Sequence, residues 1–168
     1  ATVVNNVGID FGASNVGGAL SATATTGTIT QNGGALTVAG TSGFVTSAND
    51  QAITLSNAGN ALTGAVSFTT SGTTGNVTVD NGTTALDLGA STISGTLTAT
   101  SGAAAGITDS GNVAVAGDVT LTTDANNGLI DLGTLQQSAG DLVLTTNGTG
   151  AATVVNNVGI DFGASNVG

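Results

Sequence analysis

Apolar and polar residues alternate along this chain with a period of two. In NVTVD (Asn76–Asp80), Val77 and Val79 fall on one side and Thr78 on the other. The same alternation runs through ALTVA (Ala35–Ala39), AITLS (Ala52–Ser56), AVSFT (Ala65–Thr69), LDL (Leu86–Leu88), TLTAT (Thr96–Thr100) and VTLT (Val119–Thr122). Alternation rich in Val, Ile and Thr predicts half-buried β-strands. The predicted inward set is Ile9, Phe11, Leu36, Val38, Ile53, Leu55, Val66, Phe68, Val77, Val79, Leu86 and Leu88, with Ala22 and Ala99 at narrow points. Between the runs stand Asn-Gly pairs at 32–33, 81–82, 127–128 and 147–148. Such pairs supply the positive φ that tight turns need. No stretch carries a helical period.

The chain also repeats itself. ATVVNNVGIDFGASNVG opens it at Ala1 and recurs without change from Ala152 to Gly168. This defines a tandem unit over residues 1–151, with 152–168 as the start of the next identical unit. Within the unit, IDFGASNVGGALSAT (Ile9–Thr23) lies over LDLGASTISGTLTAT (Leu86–Thr100) at an offset of 77. AVSFTTSG (Ala65–Gly72) lies over DLVLTTNG (Asp141–Gly148) at an offset of 76. The unit is therefore two diverged halves, about residues 9–85 and 86–159. Predicted strands centre near residues 9, 20, 29, 36, 45, 53, 66 and 77, and the series restarts at 86. That density predicts an all-β parallel β-helix, a solenoid of about 19 residues per coil and about eight coils per unit. The absence of Pro agrees, because every coil must donate its N–H groups to its neighbours.

Composition narrows the function. The chain has no Lys, Arg or His, and its ten charges are all Asp, for a net charge of −10. Cys, Tyr, Glu, Met and Trp are absent too. No ordinary general base near neutral pH and no thiolate is available, so the chain is expected not to be an enzyme. Zinc loses its His and Cys ligands. Nucleic acid and anionic lipid both require cations that are missing here. No apolar run approaches the roughly 20 residues of a membrane span, so no membrane insertion is expected.

ALDLGASTISGTLTAT, GALTVAG and ANDQAITLSNAGNALTGAVSF resemble the β-strand repeats of filamentous-haemagglutinin-like adhesins. Those are giant bacterial surface proteins, often exported by two-partner secretion. The resemblance implies a right-handed parallel β-helix, an extracellular or cell-surface location, and a role as a rod or stalk. The function expected is a structural shaft segment of a long extracellular fibre, an adhesin stalk or a biofilm-matrix filament. Its expected partners are adjacent copies of the same repeat, with end-to-end or lateral self-association where an edge lies bare.

The remaining chemistry is sparse. Asp10 and Asp87 hold equivalent places in IDFG and LDLG, and Asp161 repeats Asp10. At about four coils apart, and roughly 4.8 Å per coil, Asp10 and Asp87 are too distant to share an ion. No catalytic, cofactor or metal site is expected, and calcium binding by Asp is at most weak. Outward Thr raises the alternative of an ice-binding face, but its positions are expected to drift between coils. Carbohydrate binding or cleavage would need basic residues or paired carboxylates in a groove. A tandem of β-sandwich domains of about 75 residues is the main architectural alternative. Asn-x-Thr sequons occur at Asn76, Asn81 and Asn147. Asn5 and Asn6, repeated as Asn156 and Asn157, are read as turn residues, with side-chain ladders as the alternative.

Overall fold

The computed structural model describes all of residues 1–168. It contains twenty-one short strands and no helix. The first turn holds β1 (Thr2–Asn5), β2 (Ile9–Phe11) and β3 (Ser14–Val16). The second holds β4 (Leu20–Ala24), β5 (Ile29–Gln31) and β6 (Leu36–Val38), and the third β7 (Ser42–Asn49), β8 (Ile53–Leu55) and β9 (Ala61–Leu62). Then come β10 (Val66–Ser71), β11 (Val77–Asp80), β12 (Leu86–Leu88), β13 (Ser91–Ile93), β14 (Leu97–Ser101) and β15 (Ile107–Asp109). The last turns are built from β16 (Val113–Val115), β17 (Val119–Asn126), β18 (Ile130–Gln137), β19 (Asp141–Asn147), β20 (Ala152–Asn156) and β21 (Asp161–Phe162).

Every ladder is parallel and links one turn to the next. One column of register partners runs Ile9, Ile29, Ile53, Val77, Leu97, Val119, Leu142, Phe162. It covers 153 residues in seven steps, about 22 per turn, with single steps from 20 to 24. The fold is thus a β-solenoid of about seven turns. The β-sandwich alternative falls, because no strand pairs antiparallel.

The coil is longer than the expected 19 residues, and there are about seven turns rather than eight. The reason is local. The two- and three-residue strands β3 and β9 show too little alternation to register as strands. The first five turns therefore carry three strands each, and in the next β18 alone fills two strand positions, pairing with both β15 and β16, where counting the longer runs alone suggests fewer.

The three-strand turn has a second consequence. The 77-residue half spans ten strands, from β2 to β12, which is three turns and a third. Each strand of the first half is repeated one face further round. β4 lies beside β7 on one sheet, while its counterpart β14 lies beside β17 on the next. The switch happens at β10, where Val66 pairs with Leu88 of β12 and Thr69 with Thr92 of β13. The corner chemistry travels with the rotation. Asp50 and its counterpart Asn127 both have φ of 63°. Inward Thr46 and its counterpart Thr123 each donate to a carbonyl five residues on, Gln51 and Gly128.

The core is a cluster of 31 buried apolar residues, and it includes every residue of the predicted inward set. Phe11, Phe44 and Phe68 form an aromatic column within it. Phe11 meets Phe44 edge-on at 6.2 Å, and Phe44 stacks on Phe68 at 5.9 Å. The predicted turns hold at Gly33, Gly82 and Gly148, which take positive φ. At 127–128 the Asn takes it instead of the Gly. Gly106 has φ of 66°, and a side chain there would collide with the Leu129 carbonyl of the next turn.

Candidate functional site

Inside the solenoid, polar side chains complete the backbone ladder where strands cannot. The sheet of β3, β6 and β9 ends at β9. There the buried side chain of Asn81 takes the place of a strand residue. Its Oδ1 accepts from the Leu62 N–H at 2.8 Å, and its Nδ2 donates to the Leu62 carbonyl at 3.0 Å and the Ala85 carbonyl at 2.8 Å. Buried Asn60 accepts from the Leu36 N–H at 2.8 Å and from Gln31 Nε2 at 2.6 Å, and donates to the Asp80 carbonyl at 3.0 Å. Near the other end, Asn156 accepts from the Gln137 N–H at 2.8 Å and donates to the Gln137 carbonyl at 3.1 Å. These amides satisfy peptide groups that would otherwise be buried and unpaired. Sequence reading missed them because Asn81-Gly82 looks the same as the exposed turn pair Asn147-Gly148.

The carboxylates do similar work on the outside. Asp10 accepts from Thr30 Oγ1 of the turn above at 3.0 Å. Asp109 accepts from the N–H groups of Gly133 at 2.9 Å and Thr134 at 2.7 Å. Asp118 accepts from the Asp141 N–H at 2.9 Å. Asp50 Oδ1 accepts from the N–H groups of Thr73 at 2.7 Å and Thr74 at 2.8 Å, and Asn127 does the same for Thr149 at 2.8 Å. Each is a staple between consecutive turns.

The N–H of Thr73, then that of Thr74, holds the Asp50 carboxyl below its ordinary value of 3.8. A group whose pKa is depressed by folding stabilises the folded state above its unfolded pKa. That contribution is complete above 3.8 and vanishes as pH falls through the lower folded value. Comparing thermal midpoints of the native chain and Asp50→Asn from about pH 5 to about pH 2 checks this. The native chain is expected to lose more stability across that window. The gap is small and shrinks in salt, because the carboxylate lies in solvent.

Asp10 and Asp87 are not brought together. They sit more than three turns apart and on different faces, because of the one-third rotation of the halves. Asp87 is half-buried, and its Oδ1 has no hydrogen-bond partner. No three acidic side chains converge on a common point. The charges are not evenly spread, however. Asp118, Asp141 and Asp161 occupy one corner on successive turns, with Asp141 and Asp161 in register.

Threonine positions do not drift as expected. Thr30, Thr54, Thr78, Thr98 and Thr120 form one outward column on five successive turns. The flanking columns are mixed, with Thr28, Ala52, Asn76, Thr96 and Asp118 on one side and Asn32, Ser56, Asp80, Thr100 and Thr122 on the other. One column without its neighbours is a ladder of β-branched residues, not a two-dimensional hydroxyl lattice. A shallow groove of small residues, among them Ala19, Thr41, Ala65 and Ala90, follows another corner. It holds no aromatic or charged side chain to grip a sugar. Asn81 is buried and fully used within the fold, whereas the sequon residues Asn76 and Asn147 are exposed. Asn5 ends its strand and closes the corner by donating to the Gly8 carbonyl at 2.7 Å. Asn5 and Asn156 thus serve as corner residues and are not stacked on one another.

The two copies of the 17-residue segment behave differently. In the first turn Ile9 and Phe11 are 8% and 9% exposed, beneath the second turn. In the last turn the same residues, Ile160 and Phe162, are 36% and 61% exposed. Val155 and Val158 are exposed in the last turn, as their counterparts Val4 and Val7 are in the first.

No curated protein and no solved structure matches the chain. A family model described as repeats of unknown function (DUF5649) matches residues 1–69 and again residues 74–134. The two matches fall on successive stretches of the solenoid and together cover most of it. This chain, a parallel β-solenoid of about seven turns, belongs to the DUF5649 family of repeats.

Proposed function

We propose that the chain is a shaft segment of a long extracellular fibre on a bacterial surface, such as an adhesin stalk or biofilm filament. It acts as a passive spacer with no catalytic role and no cofactor. One observation carries this reading: a parallel ladder that runs from Ile9 to Phe162 over a continuous apolar core. A solenoid gains length with each turn while its cross-section stays constant, and each turn buries its neighbour's apolar side. The inter-turn staples of Asp and Asn resist bending at the corners. The resemblance to filamentous-haemagglutinin-like repeats supports the extracellular setting.

Its partners are adjacent copies of the same unit. Nine Asp per 151-residue unit, along about seven turns, place one negative charge every 4 Å or so. That spacing is below the Debye length of about 8 Å in physiological salt, so neighbouring rods repel sideways.

Chains of one, two and three tandem units test the shaft by small-angle X-ray scattering. Each added unit is expected to lengthen the particle by roughly 33 Å at constant cross-sectional radius, from about seven turns of 4.7–4.8 Å. Growth in thickness, or no fixed increment, overturns the proposal.

A further inference from the structure

We propose that Asn32 is a site of self-modification: the Gly33 backbone nitrogen attacks its side-chain amide and expels ammonia, and water then leaves aspartate or isoaspartate at that corner. The inference goes beyond the shaft reading and does not depend on it.

The step needs two freedoms. The side-chain carbonyl carbon must swing onto the next backbone nitrogen, and that nitrogen must be able to give up its proton to solvent. Glycine in the next place has no side chain to block the approach. Four Asn-Gly pairs stand in the chain, at 32–33, 81–82, 127–128 and 147–148. The fold separates them. Asn32 is exposed, and neither its side-chain amide nor the Gly33 N–H is held by a hydrogen bond. Gly33 faces open space, where an added side-chain carbon would meet nothing within 4 Å.

The other three pairs are held. Asn81 is fully buried and commits both ends of its amide to Leu62 and Ala85, while the Gly82 N–H donates to the Asp80 carboxylate at 2.8 Å. Asn127 accepts from the N–H and the hydroxyl of Thr149 at 2.8 and 2.9 Å, and the Gly128 N–H donates to the Ala125 carbonyl at 3.0 Å. Asn147 donates to the Asp124 carbonyl at 3.0 Å. Each bond that must break first slows the step by roughly fivefold, the weight of one net hydrogen bond. The expected order is Asn32, then Asn147 about fivefold slower, then Asn127 on the order of 100-fold slower, with buried Asn81 last.

One bond forms and one breaks. The Gly33 nitrogen joins Cγ of Asn32, the Cγ–Nδ2 bond is lost, and the Gly33 proton leaves with the ammonia. Water then opens the five-membered imide at either carbonyl. Opening at Cγ gives aspartate. Opening at the backbone carbonyl gives isoaspartate, with the chain rerouted through the former side chain. Either product carries a carboxylate, so the net charge goes from −10 to −11.

The fold tolerates the change. The matching corner of the second half is Ser110–Gly111, which has no amide. The Asn32 N–H donates to the Phe11 carbonyl at 3.0 Å and the Ser110 N–H to the Leu88 carbonyl at 3.0 Å, so the two corners close alike. The side-chain amide of Asn32 is not needed to close its corner.

The full folded chain is aged in mildly alkaline buffer beside a sample kept unfolded in urea, and both are mapped by pepsin digestion in acid and mass spectrometry. The unfolded chain is expected to convert all four pairs at rates within a few-fold of one another. The folded chain is expected to convert position 32 at least about tenfold faster than positions 81 and 127, to a mixture of aspartate and isoaspartate, with a shift of one charge on isoelectric focusing. Asn32→Ser, which copies the Ser110 corner, is expected to abolish that first conversion and keep the melting midpoint. A folded chain that converts position 32 no faster than position 81 overturns the proposal. So does aspartate without isoaspartate, which marks direct hydrolysis by water. A lowered midpoint for Asn32→Ser overturns it as well, because the amide would then hold the corner.

Discussion

Aspartate in place of Leu88 is expected to open the solenoid in its middle turns. Leu88 is fully buried and pairs with Val66 below and Asp109 above. Its replacement removes a core side chain, worth about 2–5 kcal/mol, and leaves an uncompensated charge that costs several more. No cation in the chain can pair with it. Stability in a solenoid is close to a sum of neighbouring-turn terms, so the damage is expected to be local. Hydrogen exchange should show protection lost around β10, β12 and β15 and kept toward β1 and β2. Asp in place of the outward Thr98 on a nearby turn is the control, with an expected change within about 0.5 kcal/mol. An unchanged melting midpoint for Leu88→Asp would remove the core assignment.

Alanine in place of Asn81 is expected to be nearly as damaging, though it removes no apolar surface. The substitution orphans two buried groups, the Leu62 N–H and the Leu62 carbonyl, and the part-buried Ala85 carbonyl. Each unsatisfied buried group costs about 1–3 kcal/mol, so a loss on the order of 4 kcal/mol is expected. Denaturant unfolding measures the loss, and faster exchange of the Leu62 amide locates it. Asn81→Asp keeps the acceptor for Leu62 but loses both donor contacts and buries a charge. It is expected to be destabilised at neutral pH and to recover in part in acid, as protonation removes the charge. Full stability of Asn81→Ala would mean that the side chain does not complete the ladder.

These two residues also mark the reach of sequence reasoning. Leu88 was legible, because it stands in LDL with an outward Asp between two apolar residues. Its burial follows from parity alone. Asn81 was not legible. It precedes Gly in a polar loop, as Asn32 and Asn147 do, and only the end of a neighbouring sheet makes its amide necessary. The acidic corner of Asp118, Asp141 and Asp161 escaped for the same reason. These residues are about twenty apart in sequence, and their alignment depends on the length of each turn. The threonine column depends on it equally.

The sequence by itself determined the inward and outward sides of the chain, the all-β class, the parallel stacking and the tandem repeat. Alternation, the lack of Pro and seventeen duplicated residues are local facts, and burial parity survives any choice of partner. Only the tertiary structure decided that three strands make a turn, that a turn takes about 22 residues, and that the halves stand a third of a turn apart. Those quantities depend on which distant residues meet. A strand of two or three residues carries too few alternations to announce itself, and it becomes a strand only when a neighbouring turn supplies its hydrogen bonds.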